Sequence, residues 1–236
     1  MMLTPDLQRP PLSRAVAWRE VGLAVVVLWS VLGGACFFLG AQSIYDRWGT
    51  SLNATLVLDV VFLIGCLAVI GFVFWCQRRQ GEGIVELGWG RPVRMPVIVI
   101  AVVYGLAWTA MSYMRGGDPL AFPWQRPIMM AIGLVLAFAE EIAVRGLILD
   151  RLARCGTSRI IQIVVTAGIM AVYHGVVGHS VWPSYMVSSF VLFGVLSVIY
   201  VYGGRSLTPV YIAHAMAHFL GDPALMQGVL YGVGAG

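Results

Sequence analysis

Apolar runs long enough to cross a lipid bilayer recur along almost the whole chain, and that repetition leaves few folds open. A spanning helix needs about 20 mostly apolar residues. Runs of that order lie at roughly 21–42, 54–76, 95–114, 127–149, 160–177 and 184–202, with a seventh from about Leu207 to Leu220. The segment after Asp222-Pro223 is apolar but short and Gly-rich, so an eighth helix stays open. No polar block separates the runs, which predicts one all-α domain over residues 1–236, a polytopic transmembrane helical bundle of about seven to eight helices.

Composition supports this. Only 11% of residues are charged and 59% are hydrophobic, with a mean hydropathy of +0.85. Soluble domains carry about 25% charged residues, so an ordinary soluble globule is excluded. The first run follows a basic lead containing Arg9, Arg14 and Arg19. It is longer than the roughly 7–15 residue core of a cleaved signal and lacks a small-x-small cleavage site, so it reads as a retained first helix. The four cysteines, Cys36, Cys66, Cys76 and Cys155, show no CxxC spacing. They imply neither a disulfide framework nor a thiolate metal site.

The net charge of +4 does not point to nucleic acid once the arginines are located. Arg9, Arg14 and Arg19 precede the first run, Arg78, Arg79, Arg91 and Arg94 follow the second, and Arg151, Arg154 and Arg159 follow the fourth. Basic loops are retained on the cytoplasmic side, so residues 1–20 form a cytoplasmic N-terminal segment of a multi-pass protein, in the inner membrane if the source is bacterial. The opposite loops, around Asp46-Arg47-Trp48 and Gly116-Gly117-Asp118-Pro119, are less basic. Trp48, Trp124, Tyr200 and Tyr202 read as interface anchors. Glu82 to Pro92, EGIVELGWGRP, is the one substantial polar connector, and no internal repeat is visible.

An ionisable side chain in a bilayer core costs about 2.5–3.5 kcal/mol even on the lenient insertion scale, so each one requires a reason. Apart from Asp59, near the start of the second run, they are Glu140, Glu141 and Arg145 in the fourth run, His174 in the fifth, and His214 and His218 in the seventh. Adjacent Glu140 and Glu141 diverge by about 100° on a helix and cannot do the same job. Glu141 precedes Arg145 by four residues, the spacing at which carboxylate and guanidinium meet, and it reads as helix-to-helix glue. Glu140 has no such partner and must find one on another helix, which makes it the candidate general base.

The partners on offer are His174, His214 and His218. His214 and His218 stand four apart in AHAMAHF and share one helix face, a spacing that serves a metal pair or two hydrogen-bond donors. A zincin HExxH would put a glutamate after its first histidine, where Ala215 stands. His174 alone could be a core histidine bonded to a carbonyl. His179, in Gly178-His179-Ser180, reads as a solvated loop residue.

Together these elements resemble the CPBP superfamily of intramembrane proteases, which includes the type II CAAX prenyl endopeptidases and bacteriocin-processing or immunity proteins. That superfamily shows EExxxR, then FxxxH, then HxxxN or HxxxD on successive helices. This chain reads EEIAVR at Glu140 to Arg145, MAVYH at Met170 to His174 and HAMAH at His214 to His218. Met170 takes the place of the usual Phe and His218 that of the usual Asn or Asp. The resemblance covers roughly Pro127 to Leu220, with ELGWGRP ahead of it.

The resemblance implies a catalytic set of Glu140, Glu141, Arg145, His174, His214 and His218. Glu140 would activate water, His174 would help hold it, His214 would face the carbonyl oxygen and Glu141 would orient Arg145. His218 brings a second imidazole where the relatives have an amide. Without thiolate ligands or a zincin glutamate, the leading reading requires no cofactor, while zinc remains an alternative, held by Glu140, His174, His214 and His218.

The expected activity is hydrolysis of peptide bonds in a membrane-anchored protein or peptide substrate at the lipid bilayer. An ion or proton carrier using the same buried groups is a second reading, weakened by the missing repeat. A catalytically inactive immunity or scaffold protein is a third, which leaves an unpaired intramembrane glutamate without a purpose.

Overall fold

Ser13 starts the first helix: its hydroxyl accepts from the Val16 backbone N–H at 3.3 Å, satisfying one of the N–H groups a helix start leaves unpaired. The computed structural model describes residues 9–34, 52–114, 126–177 and 182–231. The expected loops around Asp46-Arg47-Trp48 and Gly116-Gly117-Asp118-Pro119 lie outside the described residues, as do Cys36, Trp124 and His179.

The helices are α1 (Arg14–Val27), α2 (Leu52–Arg79), α3 (Met95–Met114), α4 (Arg126–Glu141), α5 (Asp150–Arg154), α6 (Arg159–Val177), α7 (Trp182–Tyr202) and α8 (Leu207–Tyr231). A π-helical segment, Leu28–Gly34, extends α1, and a second, Ile142–Leu149, joins α4 to α5 without a break. Counted as continuous rods, the described residues hold seven helices and no strand, so the bundle is all-α as expected.

Two expectations need correction. The seventh run does not end at Leu220: α8 continues through Pro223 to Tyr231, leaving no separate eighth helix among the described residues. Proline removes one helical hydrogen bond, but the remaining backbone groups still gain from staying helical where water is scarce. The fourth rod likewise runs to Arg154, so Arg151 is a helix residue, 0% exposed, and not part of a basic loop.

The Ile142–Leu149 segment is buried at every residue and is touched by α1, α2, α6 and α8. It is the axis of the bundle. α8 packs along α3 and α4, α6 along α7, and α2 against α4. The α3–α8 approach depends on Gly105, where a Cβ would lie 2.8 Å from the Ala213 carbonyl oxygen, so only glycine lets the backbones meet.

The outer surface is apolar as well as the core. Val99, Ile100 and Val103 of α3, Ile160 and Val164 of α6, and Val187 and Val191 of α7 are all exposed. Among the described residues, Arg14–Leu32 and Val60–Arg79 are long and apolar enough to cross a bilayer. Tyr202 is exposed and stacks under Arg159, its ring centroid 5.5 Å from the guanidinium carbon, as an interface residue would. Tyr200, read as a second anchor, is 1% exposed and belongs to the core.

At one end of the bundle Arg151 gathers four partners: Glu20 Oε2, Asp150 Oδ2 and Gln77 Oε1, each at 2.7 Å, and Glu82 Oε2 at 3.3 Å. Arg154 donates to Glu82 Oε1 at 2.6 Å, and Arg9 pairs with Asp150. This network joins the start of α1, the end of α2 and the end of the fourth rod.

Candidate active site

The fourth rod delivers Glu140 and Glu141 from the last residues of α4, just where the helix widens into its π-helical segment. Such insertions are uncommon in helices and concentrate at functional sites, where they re-aim side chains. α8 delivers His214 and His218, and α6 delivers His174. Glu140, Glu141, Arg145, His174 and His214 are buried and His218 is partly buried.

Arg145 Nη1 donates to Glu141 Oε1 at 3.0 Å, the pair the four-residue spacing predicts. Arg145 Nη2 donates to the Phe193 carbonyl oxygen at 2.8 Å. Glu141 does more than pair within its own helix, however. The same Oε1 receives His214 Nδ1 at 2.8 Å, so one carboxylate oxygen joins the fourth rod to α8. The reading of Glu141 as helix glue alone is therefore too narrow.

The Glu141 bond fixes the proton of neutral His214 on Nδ1 and leaves Nε2 as an acceptor. His218 Nε2 lies 2.9 Å from it and is the donor of that hydrogen bond when His214 is neutral. The two rings, 4.6 Å apart, form one hydrogen-bonded pair. Glu140 Oε2 is 3.7 Å from His214 Nε2, beyond hydrogen-bond range, and has no hydrogen-bond partner of its own. The divergence of Glu140 and Glu141 thus sends them to opposite nitrogens of one imidazole.

His174 stands apart from this pair. Its Nδ1 donates to the Met170 carbonyl oxygen at 2.9 Å, the local bond a core histidine makes, leaving Nε2 as the acceptor. Its ring centroid is 4.9 Å from that of Phe193, which in turn lies 5.1 Å from that of His214.

Depth does not prevent the convergence of His214 with Glu140. The turn before α8 is tied to α6, with Arg205 Nη2 donating to Gln162 Oε1 at 2.7 Å, and His214 Nε2 comes within 3.7 Å of Glu140 Oε2.

Two neighbours escaped the sequence reading. Phe193 touches Arg145, His174 and His214, its ring 5.0 Å from the Arg145 guanidinium carbon. Nothing marks it within an apolar run. Tyr173, 2% exposed, places its hydroxyl as a hydrogen-bonding group toward the Glu140 carboxylate. Its position beside His174 was the one available signal.

Glu140, His214 and His218 form a group whose potential ligand atoms all lie within 4.8 Å of one another, and His174 does not join it. The unpartnered Glu140 Oε2 and the facing imidazole nitrogens are a donor set that fits a zinc ion.

Searches of curated proteins and of solved structures return no match. The family model for type II CAAX prenyl endopeptidase Rce1-like proteins matches residues 122–220, the stretch that holds every one of these side chains. Over that stretch, which is less than half of the chain, the protein is similar to the Rce1-like type II CAAX prenyl endopeptidases, a membrane-embedded family, and this match supports membership of the CPBP superfamily.

Proposed function

We propose that the protein is a multi-pass integral membrane endopeptidase that hydrolyses a peptide bond in a membrane-anchored protein or peptide, with Glu140 as general base. The observation that carries this reading is the meeting of Glu140 with the Glu141–His214–His218 chain in one buried cluster. The apolar outer faces of α3, α6 and α7 support a bilayer setting, and the basic residues Arg9, Arg14 and Arg19 favour an N-terminus on the cytoplasmic side.

In this mechanism the unpartnered Oε2 of Glu140 takes a proton from water as the water oxygen attacks the scissile carbonyl carbon. His214 Nε2 and His174 Nε2, as acceptors, hold the hydrogens of the water, and the His218 Nε2–H group, released from His214 Nε2, donates to the carbonyl oxygen. The same proton then passes from Glu140 to the leaving amine as the C–N bond breaks. Arg145 holds the Glu141 carboxylate in place through its hydrogen bond, and Glu141 keeps His214 turned toward Glu140.

If zinc is bound, Glu140, His214 and His218 would hold it, and it would polarise water and carbonyl as a Lewis acid. Zinc is not required by the residues described above.

The test is cleavage of membrane-anchored candidate substrates by the purified protein in lipid, comparing wild type with Glu140→Gln, before and after exhaustive chelation. Cleavage by wild type and none by a folded Glu140→Gln protein supports the reading. Equal behaviour of the two would return the carrier and inactive scaffold readings to the front.

A further inference from the structure

The ELGWGRP connector between α2 and α3 is not absorbed by the catalytic chemistry, and it is folded against the two rods that carry it. Leu87 is 0% exposed and lies on Gly146 of the π-helical segment, where an added Cβ would come within 3.0 Å of the Leu87 Cδ2 and 3.3 Å of its carbonyl oxygen. The Gly88 carbonyl oxygen accepts from the Leu207 backbone N–H, the first residue of α8, at 2.9 Å. Gly88 has φ +102°, and a Cβ there would meet the Arg205 carbonyl oxygen at 2.6 Å, so the approach needs glycine on both counts.

Arg91 locks this shape. Its guanidinium donates to the carbonyl oxygens of Glu86 at 2.8 Å, Val85 at 3.2 Å and Arg205 at 3.3 Å. Ser206 Oγ donates to the Arg91 carbonyl oxygen at 3.2 Å. The connector is therefore tied to the α7–α8 turn from both sides.

Trp89 is the point of the wedge. Its ring meets Phe138 edge-on at 5.2 Å and Tyr211 at 5.3 Å, and those two rings meet each other at 6.0 Å. Phe138 precedes Glu140 by two residues on α4, and Tyr211 precedes His214 by three on α8. Aromatic pairs prefer edge-to-face or offset arrangements at centroid separations of about 4.5–7 Å, a directional preference that aliphatic side chains lack. The three-ring cluster thus sets the spacing of α4 and α8 within one turn of the point where Glu140 and His214 face each other at 3.7 Å.

We propose that Trp89, which lies outside the residues matched by the family model, is a positioning residue: through Phe138 and Tyr211 it sets the α4–α8 separation that lets His214 address both Glu140 and Glu141. Trp89 touches neither carboxylate. This inference rests on the endopeptidase reading for its rate consequences, and its geometric content is independent of that reading.

The experiment compares Trp89→Ala and Trp89→Phe with wild type in lipid, measuring kcat, KM, melting temperature and a distance. For the distance, spin labels are placed on the exposed positions Ile128 of α4 and Phe219 of α8, and the interlabel distribution is read by pulsed electron resonance. A displacement of about 1 Å at a reacting centre costs on the order of 100-fold in rate. Trp89→Ala is expected to lower kcat by about that factor with KM unchanged, and to broaden the α4–α8 distance distribution while the protein still melts cooperatively. Trp89→Phe, which keeps an aromatic ring in the wedge, should recover most of both.

An unchanged distance distribution in Trp89→Ala overturns the proposal, whatever the rate does. A broadened distribution with wild-type kcat also overturns it. If wild type cuts nothing, the endopeptidase reading fails, and the distance measurement still decides whether Trp89 positions α8.

Discussion

Glu141 Oε1 and His214 Nδ1 lie 2.8 Å apart, and the same oxygen holds Arg145 Nη1 at 3.0 Å. A carboxylate shared in this way orients the imidazole and is itself held in place by the guanidinium. Its neighbour Glu140 has neither partner and faces the other edge of the ring. The two glutamates of one motif therefore stand in different settings, and the proposed mechanism assigns reaction to Glu140 and positioning to Glu141.

Substitution should separate them. Glu140→Gln is expected to lower kcat by about 10²–10⁴, the usual contribution of a general base, while leaving the melting temperature close to that of wild type. Glu141→Gln should lower both rate and stability, because the amide keeps an acceptor for His214 but leaves Arg145 without its countercharge. Paired measurements of cleavage and thermal unfolding in lipid check this. Equal loss of stability in both variants would contradict the division.

Arg145 provides the second prediction. It is 0% exposed, and breaking a buried ion pair by removing one partner costs about 3–5 kcal/mol. Arg145→Met alone should cost an amount in that range. Because the residues form one network, the Glu141→Gln, Arg145→Met double variant should lose less than the sum of the two single losses. Unfolding of all three variants under one condition gives the coupling directly.

The sequence made local relationships readable and left distant ones hidden. Four-residue spacing announced the Glu141–Arg145 pair and put His214 and His218 on one face, and both pairs are in contact. It could not announce that Glu141 also reaches His214, because that bond depends on how α8 crosses the fourth rod. Phe193 was invisible for the same reason, being one apolar residue among many until three site residues gather around it. Helix extents failed where a general rule was overridden, at Pro223 inside α8 and at Arg151 inside the fourth rod.

His218 supports a third prediction. Its Nε2 serves His214 Nε2 at 2.9 Å, a donor role that an asparagine amide can also fill. His218→Asn should keep kcat within about tenfold of wild type, while His218→Ala, which leaves a buried acceptor unpaired, should lose more. Exhaustive chelation is expected to leave the wild-type rate unchanged. Loss on chelation with recovery on adding zinc would instead assign Glu140, His214 and His218 as ligands.

The fourth prediction concerns the polar network below the site, where Arg151 is 0% exposed and satisfied by Glu20, Gln77, Glu82 and Asp150. Those partners come from the start of α1, the end of α2, the connector and α5, so this one guanidinium ties the N-terminal half to the residues matched by the family model. Arg151→Met should cost about 3–5 kcal/mol, since it strands acidic groups in a buried setting. Asp150→Asn should cost less. Burial raises the Asp150 carboxyl above its ordinary 3.8 despite the opposing pull of Arg9 and Arg151, so its charge is already held at a disadvantage. The sign of the pH effect follows: the folded protein binds this proton more tightly than the unfolded chain does. Asp150's favourable contribution is fully present below 3.8 and fades as pH rises through its higher folded value. Wild type should therefore lose this part of its stability on going from acid toward neutral pH, and Asp150→Asn should not. Thermal unfolding of the two proteins across that range measures the difference, and parallel curves would show that Asp150 is not the group responsible.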